Sequence, residues 1–254
     1  MLFPFCFPFF ANFLSEALQH LGELVYWDVS LKSIGEGGPM RNWLKRYPLA
    51  KIPLCYFTLF YLPGFFLLER LVVPKYTIHC FLDDWIPFCE YFLIPYALWF
   101  PLLAGSLLYF LLKSDQDFLR LCFLMFVGMA ICLLIYWILP NGLDLRPEIQ
   151  RDNLFCRLMQ FTYTVDTPTN VCPSIHVSST TAIHWVVWHS PLLKNRRWIR
   201  WGSGVLTVLI CLSTVFLKQH SVVDVACGIL LTAVLIPVES LLRRRLARKQ
   251  LVVE

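Results

Sequence analysis

Apolar residues fall in long blocks along this chain, separated by short polar stretches. Six blocks, over 52–68, 91–112, 119–139, 174–193, 201–217 and 222–242, read as apolar helices. Several are close to the shortest length that crosses a bilayer, which takes about 20 apolar residues. Ahead of them, residues 14–27 place Leu14, Leu18, Leu21, Leu24 and Val25 against Ser15, Glu16, Gln19, His20 and Glu23. That spacing predicts an amphipathic helix, either lying at the membrane surface or packed as a lead helix on the bundle. Residues 1–13 are apolar, with prolines and no basic start, unlike a cleaved signal peptide. Residues 34–39, Ile-Gly-Glu-Gly-Gly-Pro, form a loop. The connections between blocks are short except 140–173, which is polar and rich in turn formers. The expected architecture is an all-α integral membrane protein: a six-transmembrane-helix bundle with an N-terminal amphipathic or interfacial helix. Residues 1–50 form the interfacial segment, 51–243 the membrane domain and 244–254 a basic cytoplasmic tail.

Composition agrees with the blocks. The chain is 57% hydrophobic and only 15% charged, against roughly a quarter charged in soluble domains. The net charge of +5 would suggest nucleic acid only if the basic residues formed one patch. They are divided between loops instead, so no nucleic-acid partner is expected. With the N-terminus inside, only Arg70, Lys75, Arg146, Arg151, Arg157 and Lys218 of the 22 basic residues fall outside. This bias predicts both termini in the cytoplasm of a multi-pass protein, with the cell membrane its expected place. Ten cysteines show no Cys-x-x-Cys or Cys/His ligand spacing, so no zinc site is expected. Cys80, Cys89, Cys156 and Cys172 fall in outer loops, where pairing stays open.

Two segments carry chemistry. Cys172-Pro173-Ser174-Ile175-His176 opens the fourth block, and Lys218-Gln219-His220-Ser221-Val222-Val223-Asp224 opens the sixth. His220 and Asp224 are four apart and share a helical face. In the topology above, His176, His220, Asp224 and Arg146 all reach the outer interface, although they are distant in sequence. Titratable groups beside hydrocarbon are costly and commonly functional. Two histidines, one oriented by a carboxylate, can run a phosphoryl transfer, one attacking and the other protonating the leaving group.

The segments Arg146-Pro147, Pro173-Ser174-Ile175-His176, and Ser213-Thr214 with His220 and Asp224 together resemble the three motifs of the type 2 phosphatidic acid phosphatase superfamily. That superfamily includes lipid phosphate phosphatases and some head-group transferases. The chain departs from its pattern at three positions. Leu139 stands where the family has a lysine, Ile175 where it has a glycine and Thr214 where it has an arginine. The resemblance implies that His220 is the nucleophile, Asp224 its orienting partner and His176 the general acid. It assigns the phosphate oxygens to Ser174 and Arg146. With two family cations absent, Lys218 and Arg151 are the expected substitutes. The implied reaction uses no cofactor and no metal. The implied substrate is a lipid phosphate ester in the bilayer, with the site on the extracytoplasmic side. A further stretch, Leu82-Asp83-Asp84-Trp85-Ile86-Pro87 through Pro95-Tyr96, is similar to the inositol-phosphorylceramide-synthase-like branch. That likeness keeps head-group transfer as the alternative to hydrolysis. A transporter or lipid-binding protein with a dead site is the rival from another class, although no internal repeat accompanies it.

Other polar residues fit plainer roles. His184 and His189 read as packing or interfacial groups, and Trp185 and Trp188 as a lipid-facing pair. Lys194-Asn195-Arg196-Arg197 and Arg243-Arg244-Arg245 read as topology determinants. Asp83 and Asp84 suit a substrate hydroxyl or a helix cap.

Overall fold

The computed structural model describes residues 49–253, so the amphipathic helix expected over 14–27 and the loop over 34–39 lie outside the described residues. Residues 52–241 form one compact unit. The chain runs through α1 (Leu49–Leu71), the short α2 (Phe81–Trp85), α3 (Glu90–Lys113), α4 (Asp115–Ile138), α5 (Leu154–Val165), α6 (Ile175–His189), α7 (Arg197–Phe216) and α8 (Val222–Val253).

Five of these, α1, α3, α4, α7 and the first 24 residues of α8, are long and apolar enough to cross a membrane. Leu59 on α1, Phe100 on α3, Val205 on α7 and Leu230 on α8 are more than half exposed. Surfaces of this kind are rare on proteins that face water and ordinary on proteins that face lipid. The protein is a multi-pass helical membrane protein.

The fourth expected span is the exception. α6 has 15 residues, short of a bilayer crossing. Ser174 caps its start, accepting from the Val177 N–H, and Ser190-Pro191 ends it. It packs against α3, α4 and α7. α8 covers it too, with the Thr232 hydroxyl donating to the Ser178 carbonyl. Surrounded this way, α6 has no need of apolar residues on every face. The hydroxyls of buried Ser179 and Thr180 and of half-buried Thr181 donate to carbonyls one turn back, at 2.7 Å each, so none is left unpaired. α8 approaches closest at Gly228, where a Cβ would sit 2.9 Å from the Ser174 carbonyl oxygen. Only glycine allows that contact.

α4 is the other buried helix. Its middle widens into a π-turn over Phe123–Val127, and α1 has another over Tyr56–Tyr61. The two meet: the Tyr56 hydroxyl donates to the Phe126 carbonyl at 3.0 Å, and the two rings stack at 4.4 Å. A carbonyl loosened from the helical ladder by the wider turn thereby gains a partner.

At one end of the helices the loops knit together. β1 (Tyr76–Thr77) pairs in parallel with β2 (Asn141–Gly142), and Gly142 bridges to Thr169. Asn141 organises the approach to α6. Its Oδ1 accepts from the N–H groups of Val171 and Cys172, and its Nδ2 donates to the carbonyls of Leu139 and Cys172. Asn141→Ala strips partners from four backbone groups in a buried region. Each stranded group costs about 1–3 kcal/mol. The expected result is a loss of several kcal/mol, read as a fall in the thermal midpoint of the purified protein. An unchanged midpoint would refute this account of the loop.

The 140–173 connection also holds α5, a helix not expected there. The Asn153 side chain caps it by accepting from the Cys156 N–H at 2.9 Å. Cys80, Cys89, Cys156 and Cys172 are free thiols, so none of the outer-loop pairings left open by the sequence is formed.

Candidate active site

The site is built where the α7–α8 turn meets the start of α6. α7 ends at Phe216, and the N–H groups of Gln219 and His220 fold back onto the Thr214 carbonyl at 2.9 and 3.0 Å. Other elements take up the freed carbonyls of this helix end. The Cys89 N–H donates to Phe216 and the Tyr163 hydroxyl to Leu217. Lys218 adopts a left-handed conformation, φ 54°, which sharpens the turn. His220 emerges from it buried, and α8 begins two residues later.

Asp224 sits in the first turn of α8. Its Oδ2 lies 3.3 Å from His220 Nδ1 and accepts a shorter bond, 2.9 Å, from the Ser221 N–H. The same residue's carbonyl accepts from the Ser174 N–H at 3.2 Å, which ties α8 to the cap of α6. That tie brings His176 to His220, with ring centroids 5.7 Å apart. No hydrogen bond joins the rings, and both line one cavity. His176 lies between Tyr96 and Trp99, at 4.8 and 4.5 Å from their ring centroids. Trp99 is itself fixed by its Nε1–H donating to the Ser179 hydroxyl. The sequence-expected pair of histidines with its carboxylate is therefore assembled by three helices and two turns.

The cavity measures about 550 Å³. Its lining is largely aromatic, including Phe57, Phe65 and Phe66 of α1 and Phe100 of α3, and it also includes the polar side chains of His176, His220, Asp166, Asn170 and Gln219. An apolar cavity with a few polar groups suits an amphipathic molecule.

The remaining expected site residues fall elsewhere. Ser174 is fully buried, with its hydroxyl engaged as the cap of α6. Arg146 lies behind the cavity wall. Its guanidinium donates to the carbonyls of Tyr163 and Asp166 and to Gln219 Oε1, and it rests 4.4 Å over the Tyr163 ring. Lys218 is buried and its Nζ donates to the Asp83 carbonyl at 2.7 Å. Arg151 pairs with Glu90 at 3.0 Å on the rim. None of these four lines the cavity. Among the described residues, no lysine or arginine does.

Asp83 takes the capping role, one of the two parts its sequence context left open. It is fully buried and caps two helices at once. Through Oδ2 it accepts from the Cys80 N–H, ahead of α2, and from the Ser221 hydroxyl at 2.6 Å; through Oδ1 it accepts from the Val222 N–H at the start of α8. Burial pushes its carboxyl up, and these hydrogen bonds outweigh burial and hold it below the ordinary carboxylate value. Asp83 thus stabilises the turn that presents His220. Asp84, its neighbour, pairs with His79 at 2.8 Å on the surface.

Asp166, Asn170 and Gln219 were not expected at the site. Gln219 stands next to His220, and Asn170 lies in the turn-forming run Thr167-Pro168-Thr169-Asn170. Neither position shows in sequence that it faces a cavity. The Asp166 carboxylate accepts from the Tyr96 hydroxyl at 2.7 Å. His184 and His189 are local packing groups, as expected. The first is 2.9 Å from the Ser203 hydroxyl and the second 2.8 Å from the Trp185 carbonyl.

Fold and site together define a class: a helical membrane protein with a His–Asp pair and a second histidine lining one largely aromatic cavity. Comparison of the chain with protein-family models, curated proteins and solved structures yields no match.

Proposed function

We propose that this protein is a membrane phosphatase that hydrolyses lipid phosphate esters through a phosphohistidine, in the manner of the type 2 phosphatidic acid phosphatases its motifs resemble. The observation that carries this reading is the meeting of His220, held by Asp224, with His176 in the lining of one largely aromatic cavity.

In this mechanism the Asp224 carboxylate accepts from His220 Nδ1–H, which leaves the Nε2 lone pair for phosphorus. His220 Nε2 attacks, the P–O bond to the lipid breaks, and His176 gives its proton to the departing alkoxide oxygen. Water then attacks the phosphohistidine, His176 takes its proton, and phosphate leaves. The aromatic lining holds the lipid chain while the ester reaches the histidines. Among the described residues no three His, Cys, Asp or Glu side chains cluster as metal ligands would.

Head-group transfer is the second reading, with an alcohol in place of water. It is favoured by the cavity having no lining lysine or arginine among the described residues. A phosphodiester brings one negative charge, whereas a phosphomonoester brings about two, so the diester needs less positive charge around it. Purified protein is to be assayed on phosphatidic acid, undecaprenyl pyrophosphate, and phosphatidylinositol with an alcohol acceptor. Release of phosphate from the first two, unaffected by EDTA and inhibited by vanadate, is the expected result. Product formed only with the alcohol acceptor would select the second reading. Activity lost on chelation and restored by magnesium would sink the phosphohistidine route.

The proposed topology counts α6, too short to cross a full bilayer by itself, as the sixth crossing, enclosed by the helices packed around it. The segments on either side of the membrane unit and the 194–200 loop then face the cytoplasm of the cell, and 140–173 faces outside, following the distribution of lysine and arginine. In a cysteine-free background, Asn195→Cys is expected to resist an impermeant thiol reagent on intact cells. Labelling there would invert the orientation.

A further inference from the structure

The cations expected at the phosphate, Arg146 from the motif resemblance and Lys218 and Arg151 as substitutes, are turned away from the cavity. Lys218 serves the Asp83 carbonyl, Arg151 serves Glu90, and Arg146 serves two carbonyls and an amide oxygen. An anion at His220 still needs donors. Two buried side chains that line the cavity have donors to spare. Asn170 is 5% exposed, and neither its Nδ2 nor its Oδ1 has a hydrogen-bond partner. Gln219 is 2% exposed, and its Nε2 has none. Buried amide groups are almost always paired, because an unpaired one forfeits its hydrogen bonds to water without recompense.

Neither case is explained by local structure. Asn170 has a left-handed backbone, φ 57°, and asparagine is one of the few residues that adopts it readily. Glycine adopts it as well, and backbone conformation alone does not ask for a carboxamide facing the cavity. The main chain here is already anchored, with Asn170 N–H donating to the Asn141 carbonyl and Val171 N–H to Asn141 Oδ1. The side chain is surplus to that framework. For Gln219 the orientation of the amide follows from its partner. Arg146 has only donors, so the atom it meets must be the amide oxygen, and Nε2 is the free end.

We propose that Asn170 and Gln219 are the ligands of the substrate's phosphate oxygens, binding them through neutral amide N–H groups, with Arg146 polarising Gln219 from behind. The inference rests on the phosphate-ester reading above and names residues that reading does not contain. Arg146 draws density from Gln219 Oε1, so the Nε2–H becomes a stronger donor, and positive charge acts on the anion through one intervening amide. Fixed donors in a site shielded from water stabilise an oxyanion without a full cation beside it. The arrangement also accommodates the Asp166 carboxylate that lines the same cavity. That group accepts from the Tyr96 hydroxyl, and the Arg146 guanidinium bonded to the Asp166 carbonyl offsets its charge.

Orthovanadate, titrated into the purified full chain in lipid nanodiscs and followed by ⁵¹V NMR, tests the assignment. Asn170→Gly keeps the left-handed turn and removes the amide without adding charge. Gln219→Glu keeps the partner of Arg146 and removes the donor. Loss of a hydrogen bond to a charged group predicts vanadate binding weaker by about tenfold or more in each. Turnover of p-nitrophenyl phosphate, measured on the same samples, reports separately on the histidine chemistry. Wild-type protein that binds vanadate through these residues yet turns nothing over would leave the anion site standing and refute hydrolysis. If Asn170→Gly binds vanadate within about twofold of wild type, the assignment is overturned, and the same holds if the wild type does not bind it. Should Gln219→Glu fail to elute as a folded species, Asn170→Gly decides alone.

Discussion

His220→Ala is expected to abolish both phosphoenzyme formation and turnover, whatever the leaving group. The ring is the only group that the proposed mechanism brings to phosphorus, and its position is over-determined. The turn before it is fixed by two N–H groups on the Thr214 carbonyl, by Lys218 on the Asp83 carbonyl and by Asp83 on the start of α8. Removing the imidazole leaves that scaffold intact, so the loss belongs to chemistry rather than folding. Brief labelling with a ³²P-lipid, followed by alkaline denaturation that preserves phosphohistidine, reads the result. Asp224→Asn should retain vanadate binding and lose most turnover. An amide in place of the carboxylate removes the charge that stabilises the imidazolium and permits the wrong tautomer. A labelled phosphoenzyme in His220→Ala would assign the nucleophile elsewhere.

The second large effect depends on the substrate. His176 is expected to serve as the acid for the leaving oxygen, and such assistance is typically worth about 10²–10⁴-fold. His176→Ala should lose that factor on lipid alkoxide esters. It should recover substantially on p-nitrophenyl phosphate, whose phenolate leaves without a proton. The structure adds a control. His176 also fills the space between Tyr96 and Trp99, so a smaller side chain leaves a void in that stack. His176→Gln keeps most of the bulk but does not serve as the acid. If either variant is impaired equally on both substrates, the residue's part is packing and the assigned role falls.

Much of the membrane architecture was legible from the apolar blocks alone. The blocks over 52–68, 91–112, 119–139, 201–217 and 222–242 each lie on a helix long enough to cross, with ends shifted by a few residues. Lipid-facing helices must be apolar over their whole exposed surface, so composition reports them directly. The block over 174–193 was read by the same rule, and there the rule reaches its limit. α6 is buried by protein on most sides, so its length and its serines and threonines answer to its neighbours. α5 went unnoticed because a short helix in a polar loop has no such compositional signature.

At the site, sequence by itself put His220 and Asp224 within reach of each other, four residues apart, but the expected shared helical face is not formed: α8 starts only at Val222, and the turn that carries His220 sets the pairing with Asp224 in the first turn of the helix. Sequence also placed His176 at a helix start, through the Pro173-Ser174 cap. Tertiary structure decided everything that depends on which loops meet. It turned Lys218 toward Asp83, Arg151 toward Glu90 and Arg146 toward Gln219, and it brought Asn170 and Gln219 to the cavity wall. A charge in a sequence is visible as a charge, but its partner is whichever acceptor the folded loops bring nearest. The buried acceptors here are main-chain carbonyls, the Glu90 carboxylate and the Gln219 amide oxygen, groups that no motif records.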